Sequence, residues 1–453
     1  MKVSKNELSG ALIALGKLIC RTASVEAYKS VMISAHENEL ILSTISAEEK
    51  LSVTLSADGA DGFQKIVNYA ELKELVKGSS EGNVFFQEEH GVFTARIESG
   101  RKISTHALVS MKTEWNDPVI EPEDAPSVTL PDGFVELLEK AAPLINRRDY
   151  RPLLQGINLS SNGITATNGK ELLNIPLALP IDGFTIPFPL ALMATREKCG
   201  GLLKVWRDKS VSMFSIQVGA WTWYGKALDG EYPDWHRVIP SEESHLYKIT
   251  IENESADMIS AFLKRTAGEL FKLTPSDAET LIISGITENE DSLVVPSNIT
   301  GHFQERSLIL TRSVMERLLM LGHRTITVSD GYAPIAATGG TGQLIAMQIH
   351  QKPEETSHPE KKEEKMNQNE TNVVSASAQT AASNNQPEAV AITVTPLDEL
   401  NSSIEDFKQK LKIAFEEASI LSRKVREIAL FQKQKERDFV QARRALERVR
   451  MAI

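Results

Sequence analysis

Hydrophobic and polar positions follow one order three times along residues 1–350. In each copy a helix with apolar residues three and four positions apart comes first, alternating strand patterns follow, and a shorter helix precedes the last strands. The long helices are predicted at 6–19, 133–145 and 256–271, and the short helices at 69–77, 189–198 and 312–321. The pattern predicts three copies of a unit of about 120 residues. Each is expected to be an α+β domain with two helices on one face of an antiparallel sheet.

Domain boundaries are predicted where the composition changes. The segment 118–131 is rich in proline and acidic residues and is typical of a linker. We place the three domains at 1–122, 123–242 and 243–351. The next segment, 352–396, is polar and has no aromatic residue. It is predicted to be a disordered linker, because it cannot bury enough apolar surface to offset the loss of chain entropy.

The last segment, 397–453, is predicted to form a coiled-coil helix. Its apolar residues alternate by three and four positions, beginning with Leu397, Leu400 and Ile404, and its second half is basic. A seam sustained over this length favours pairing with another helix, either from a second copy or from a partner protein. The alternative is an amphipathic helix that packs on its own chain.

The overall composition is that of a soluble globular protein. Hydrophobic residues make up 41% of the chain, charged residues 25%, and the formal net charge is -11. An acidic total does not exclude nucleic acid, because the local distribution of charge decides binding. The sequence shows no bilayer-spanning apolar run and no signal-peptide core, so we expect a cytoplasmic protein without a membrane partner. Cys20 and Cys199 are expected to be buried free thiols, which suits a reducing compartment.

Catalytic motifs are poorly supported by the sequence. Residues 163–170 look like a phosphate-binding loop, but their glycines are too far apart and Glu171 replaces the Ser or Thr that binds magnesium. A strand, a turn and a second strand explain this stretch better. The histidines lack metal-ligand spacing. The sequence therefore predicts a protein that is not an enzyme, with no catalytic residue, cofactor or metal.

The stretch 228–240 (Leu-Asp-Gly-Glu-Tyr-Pro-Asp-Trp-His-Arg-Val-Ile-Pro) is a turned connector that ends in an extended segment. It resembles the connector between the second and third domains of the bacterial DNA polymerase III beta subunits, the sliding clamps. The threefold repeat is similar to the three-domain architecture of that family. The resemblance covers residues 1–350. It implies a processivity factor in which two chains join head to tail in a ring around double-stranded DNA, with helices lining the hole.

Basic residues recur in the predicted helices and in the loops that follow them. On a concave surface such residues would pair with phosphates without reading bases. Arg21, Arg147 and Arg148 match loop positions that touch DNA in the resembling family. For each basic residue the alternative is an ordinary solvated surface charge. The predicted DNA-binding set is Arg21, Lys73, Lys77, Arg147, Arg148, Arg196, Lys198, Lys264, Arg265 and Arg317.

The resemblance also implies an apolar cleft that takes short peptides from DNA polymerases and the clamp loader. Its predicted lining comes from three distant stretches: Leu154, Thr167, Gly169, Leu172, Pro233, Val238, Ile345 and Met347. The alternative is that these are ordinary core residues. The chain departs from the family where Glu171 follows Lys170, because a basic pair is usual there. It also departs near Pro152 and Leu153, where an aromatic residue is common.

The resemblance finally implies a contact between two copies of the chain. We expect the strand near Arg101 and Ile103 of one copy to meet the end of the helix at Leu270 and Phe271 of the other. The main alternative function is a specialised clamp-fold scaffold that recruits a dedicated partner through segment 397–453 and is not the replicative clamp.

Overall fold

The computed structural model describes residues 1–59, 62–78, 81–208, 210–286, 291–304, 306–330 and 333–349. These residues belong to one compact unit, Met1–Thr356. The predicted linker at 352–396 and the predicted coiled coil at 397–453 lie outside the described residues.

The first repeat contains eight strands and two helices. Its second helix is capped by Asn68, whose side chain accepts a hydrogen bond from the amide of Ala70 at 2.8 Å. In chain order the elements are β1 (Lys2–Ser4), α1 (Lys5–Leu15), β2 (Ser30–His36), β3 (Glu39–Ile45), β4 (Glu49–Ser56), β5 (Phe63–Asn68), α2 (Tyr69–Leu75), β6 (Asn83–Glu89), β7 (Val92–Ser99) and β8 (Lys102–Leu108).

The second repeat has the same order of elements. They are β9 (Ser127–Leu130), α3 (Phe134–Ala141), β10 (Gly156–Ser160), β11 (Gly163–Thr167), β12 (Glu171–Ile175), β13 (Phe184–Pro187), α4 (Leu190–Met193), β14 (Gly201–Asp208), β15 (Val211–Val218) and β16 (Trp221–Lys226).

The third repeat follows the same order again. It consists of β17 (His245–Ile251), α5 (Asn253–Arg265), β18 (Leu270–Pro275), β19 (Thr280–Gly285), β20 (Ser292–Gly301), β21 (Leu308–Thr311), α6 (Arg312–Met320), β22 (Thr325–Ser329), β23 (Ile335–Gly340) and β24 (Gly342–Ala346). The predicted fold class, three repeated α+β domains with large antiparallel sheets, is therefore confirmed.

Within each repeat the strands form two four-stranded sets. In the first repeat they run β1-β6-β7-β8 and β5-β2-β3-β4, and the other repeats match this order. Neighbouring repeats join edge to edge, because β4 pairs with β16 and β12 pairs with β24, both antiparallel. The sheets thus run continuously across both junctions.

The helices bury one apolar face, as their spacing predicts. In α1 the side chains of Leu8, Leu12 and Leu15 are buried, and in α5 so are those of Ile259 and Leu263. Such faces supply the burial that stabilises short helices, whose intrinsic propensity alone would not. None of the helices in the described part of the chain has both the length and the apolar character needed to span a bilayer.

Four predicted helices end four or more residues earlier than their apolar spacing indicates, and one of them, predicted at 133–145, ends at Ala141. The first helix stops at Leu15 and not at Ile19. The short helix predicted at 189–198 is only the single turn α4, and Arg196 has a left-handed backbone with φ of 57°. The helix predicted at 256–271 ends at Arg265, because Thr266 is already extended with ψ of 132°, and Gly268 then has a positive φ of 102° before β18 begins.

The prediction of buried thiols is wrong. Cys20 and Cys199 are both exposed free cysteines. Each follows a helical segment in a loop, where apolar periodicity carries no information about burial.

Candidate functional site

The eight residues predicted to line a cleft surround one cavity of about 180 Å³. Strands β12 and β24 form its floor, where Leu172 lies opposite Ile345. Two of its apolar side chains remain open to solvent, with Val238 47% and Met347 46% exposed. A small apolar cavity with a few polar groups at its edge suits an anchoring side chain of a peptide.

One wall of the cleft is the turn between β11 and β12. The amide of Gly169 donates to Thr167 Oγ1 at 3.0 Å, and Thr167 Oγ1 donates to the carbonyl of Glu171 at 2.6 Å. Gly169 has φ of 85°, and a Cβ there would lie 2.8 Å from a guanidinium nitrogen of Arg151. The turn therefore requires glycine for its left-handed backbone, and a Cβ there would also displace the end of the Arg151 side chain.

The cleft is also lined by residues that were not predicted from the sequence. Trp235 packs against the small apolar cluster that contains Leu172 and Ile345. It lies in a short 3₁₀ helix that Asp234 caps by accepting from the amide of His236 at 3.3 Å. The sequence could have indicated Trp235 as a lining residue, because it lies in the connector 228–240. The other unassigned lining residues are Arg151, Lys170, Glu171, Tyr232, Asp234 and Pro334.

Charged groups at the rim are mostly paired. Arg151 donates from Nε and Nη2 to the two carboxylate oxygens of Asp149 at 2.9 and 3.0 Å, and these hydrogen bonds lower the pKa of Asp149 to about 2. Asp234 accepts from Arg237 Nε at 2.9 Å, and hydrogen bonds from His236 and then Arg237 hold its pKa below the usual value. Burial raises the pKa of the Tyr232 hydroxyl. The cleft is therefore a mainly apolar cavity whose rim carries these ion pairs and the exposed Lys170.

Glu171 and Arg317 form a nearly buried ion pair between the second and third repeats. Their side chains are 9% and 11% exposed. Arg317 also donates to the carbonyl of Pro143 at 3.4 Å, and Asn168 Nδ2 donates to Glu171 at 3.3 Å. The other predicted DNA-binding residues are all exposed. Arg317 differs from them, because its charge is already neutralised by Glu171.

The predicted basic residues of the first repeat lie together. Arg21, Lys73 and Lys77 line one groove of about 700 Å³ between α1 and α2, joined there by Lys17. Glu74 pairs with Lys77 at 3.1 Å, so the groove remains positive overall. Several cations around one exposed groove match the chemistry of a phosphate-binding surface.

The basic residues of the second and third repeats are more dispersed. Arg147 stacks over the ring of Phe188 at 5.1 Å and is exposed, as is Arg148. Arg196 lines a different groove, which also contains acidic residues. Lys198, Lys264 and Arg265 are exposed and do not line either groove.

The predicted contact between copies is wrong on one side. Ile103 lies on the edge strand β8 and is 64% exposed, as a contact residue should be, and Arg101 precedes it. Leu270 and Phe271, however, begin strand β18 and do not end a helix. Phe271 is fully buried beneath the guanidinium of Arg312, 5.0 Å from its ring, so it lies on no surface.

The described residues contain no group of His, Cys, Asp and Glu side chains that could hold a metal ion. No protein-family model matches the sequence, and a search of curated proteins found no match.

Solved structures are similar to this chain. The DNA polymerase sliding clamp from Bacillus subtilis has a TM-score of 0.62 and 16% identity, covering 78% of this chain and 99% of that one. The Helicobacter pylori beta clamp bound to a DNA ligase peptide has a TM-score of 0.63 and 17% identity, with coverages of 77% and 100%. The Bartonella birtlesii sliding clamp bound to griselimycin has a TM-score of 0.63 and 15% identity, with coverages of 77% and 99%. Over the aligned three quarters of its length, this protein has the fold of the bacterial DNA polymerase sliding clamps.

Proposed function

We propose that this protein is a DNA sliding clamp: two copies close a ring around duplex DNA, and the cleft tethers a DNA enzyme. The observation that carries the proposal is the way in which the repeats join. In both junctions the fourth strand of one repeat pairs with the last strand of the next, β4 with β16 and β12 with β24. Three repeats joined in this way leave two outer strand edges, and these edges match in the same way as the strands at the two junctions.

The two outer strand edges are β8, the last strand of the first repeat, and the first half of β20, the fourth strand of the third repeat. Strand β8 is the last strand of its sheet, and residues 102–107 are exposed. Residues 292–296 of β20 pair only with β19 within the described structure. Long uncovered strand edges attract another chain, so natural proteins rarely leave them free. Pairing β8 of one copy with β20 of another would repeat the same junction, and two copies would close the contact head to tail.

Binding of duplex DNA would depend on the exposed cations of the helices and their loops. The groove with Arg21, Lys73 and Lys77 is the best candidate, because these charges converge and, among the described residues, only Lys77 has an acidic partner there. Contacts to phosphates alone give binding that is independent of sequence and sensitive to salt. Sliding along DNA requires that independence.

The cleft would hold a peptide from a DNA polymerase, a clamp loader or another DNA enzyme. A tether of this kind raises the local concentration of the enzyme at its substrate and needs no catalysis by the clamp. We propose that the protein is not an enzyme and acts in the cytoplasm, where its exposed thiols would remain reduced. The alternative is a specialised paralogue, favoured by Glu171 at a position where the family usually has a basic residue.

Retention on DNA tests the ring. The purified protein is assembled on a nicked circular plasmid, the complex is isolated by gel filtration, and the plasmid is then linearised with a restriction enzyme. A ring remains on circular DNA and slides off linear DNA. Equal retention on both forms, or a monomer by sedimentation at micromolar concentration with segment 397–453 deleted, would refute the proposal.

A further inference from the structure

One ion pair joins three parts of the chain directly beside the cleft. Glu171 is the first residue of β12 in the second repeat, and Arg317 lies in α6 of the third repeat. The guanidinium also reaches the carbonyl of Pro143, in the short segment that follows α3. Because both side chains are nearly buried, neither charge can be solvated if its partner is removed.

Glu171 is also bonded to the walls of the cleft. Its carbonyl accepts from Thr167 Oγ1 at 2.6 Å, and its amide donates to Asn168 Oδ1 at 2.8 Å. It lies opposite Ala346 in the junction between β12 and β24, and the next amide, that of Met347, donates to the carbonyl of Lys170 at 2.9 Å. A shift of Glu171 would therefore move both the turn wall and the Met347 wall of the cleft.

The other junction provides an internal comparison. Glu49 is the first residue of β4, the position equivalent to Glu171, and it is partly buried, which raises its pKa. Its carboxylate accepts from a neutral donor, Trp223 Nε1, at 3.0 Å. The next residue of β4, Lys50, pairs at 2.6 Å with Asp117, which lies in the segment between the first and second repeats. A partly or nearly buried glutamate thus recurs at both junctions. Among the described residues it forms an ion pair with a guanidinium beside the cleft, whereas Glu49 has no such pair and Arg147 only lowers its pKa from a distance.

We propose that the Glu171–Arg317 pair positions the walls of the cleft for peptide binding, and that Arg317 is not a DNA contact. The proposal rests on the cleft being the partner site. The ion pair holds β12 against α6, and the apolar residues of the cleft then determine what binds.

The test uses the full chain and two probes, griselimycin and a fluorescein-labelled DNA ligase peptide from Helicobacter pylori. Arg317→Met and Glu171→Gln should weaken binding by about tenfold each. The reversed pair, Glu171→Arg with Arg317→Glu, should recover most of the affinity. Arg317→Lys keeps the charge and serves if the other variants do not fold. DNA retention and its dependence on salt should be unchanged in all of them.

Matched controls separate the outcomes. Glu49→Gln should lower the melting temperature without changing probe affinity, because Glu49 does not line the proposed peptide cleft. A loss of affinity in this variant would show that any weakened junction has this effect, and would overturn the positioning role. Met347→Lys should abolish binding. If it does so while Arg317→Met binds normally, the positioning role is wrong and the cleft stands. If the wild type binds neither probe, or Met347→Lys binds normally, the cleft assignment fails and this inference fails with it. A shallower salt dependence of DNA binding in Arg317→Met would instead make Arg317 a DNA contact.

Discussion

His323 should make the third repeat sensitive to mild acid. The residue follows α6 directly after Gly322, and it is 2% exposed. Neither ring nitrogen makes a hydrogen bond of good geometry to a described residue, and the backbone of Thr338 favours the charged ring only weakly. Burial, helped by the nearby charge of Arg324, lowers the pKa of His323 to about 4.

The sign and size of the effect follow from linkage. Unfolding returns the imidazole to its ordinary pKa of 6.5. Between pH 6.5 and about pH 4 the unfolded state therefore binds a proton that the folded state does not bind. The stability of the neutral buried ring is fully present above pH 6.5 and is lost as the pH falls towards 4. From pH 7 to pH 5 the loss should be about 2 kcal/mol.

Native-state hydrogen exchange of strand β22, next to His323, measures this loss. Between pH 7 and pH 5, after correction for intrinsic exchange rates, the free energy of opening should fall by about 2 kcal/mol more in the wild type than in His323→Leu. At pH 7 the leucine variant should be at least as stable, because it removes a buried polar group without a partner. His302→Leu, which alters an exposed histidine of the same repeat, should behave like the wild type. Equal pH dependence in the wild type and His323→Leu would refute the reasoning.

Three further predictions concern the ring and the C-terminal segment. Replacing Arg21 and Lys73 by alanine should reduce the salt slope of DNA binding by about two without changing sequence preference, measured by fluorescence anisotropy at several salt concentrations. If the proposed dimer forms through β8, Ile103→Pro should convert it into monomers in sedimentation, because proline blocks pairing at a strand edge. Val92→Pro, on a different strand, tests whether the repeat merely unfolds. A peptide of residues 397–453 should gain helical circular dichroism with rising concentration, and a concentration-independent coil would remove self-association.

The sequence alone was sufficient to predict the fold where local periodicity decides the structure. The helical spacing of Leu8, Leu12 and Leu15 and its recurrence in two later segments predict the threefold α+β fold. The connector 228–240 points to the family whose fold the chain has, and through it to eight residues that do surround one cavity. These features depend on residues close together in the chain or on a motif that carries its own turns.

Only the tertiary structure decided which surfaces are exposed and which charges are free to bind a partner. Apolar spacing continues through Phe271, but the helix ends at Arg265 and Phe271 is buried in β18, so it cannot be the surface contact that the spacing predicted. Arg317 resembles any other helical cation until the fold brings it to Glu171, 146 positions away in the chain. Periodicity reports only on neighbours within a few residues, whereas pairing between distant charges and the exposure of strand edges follow from how the repeats are joined.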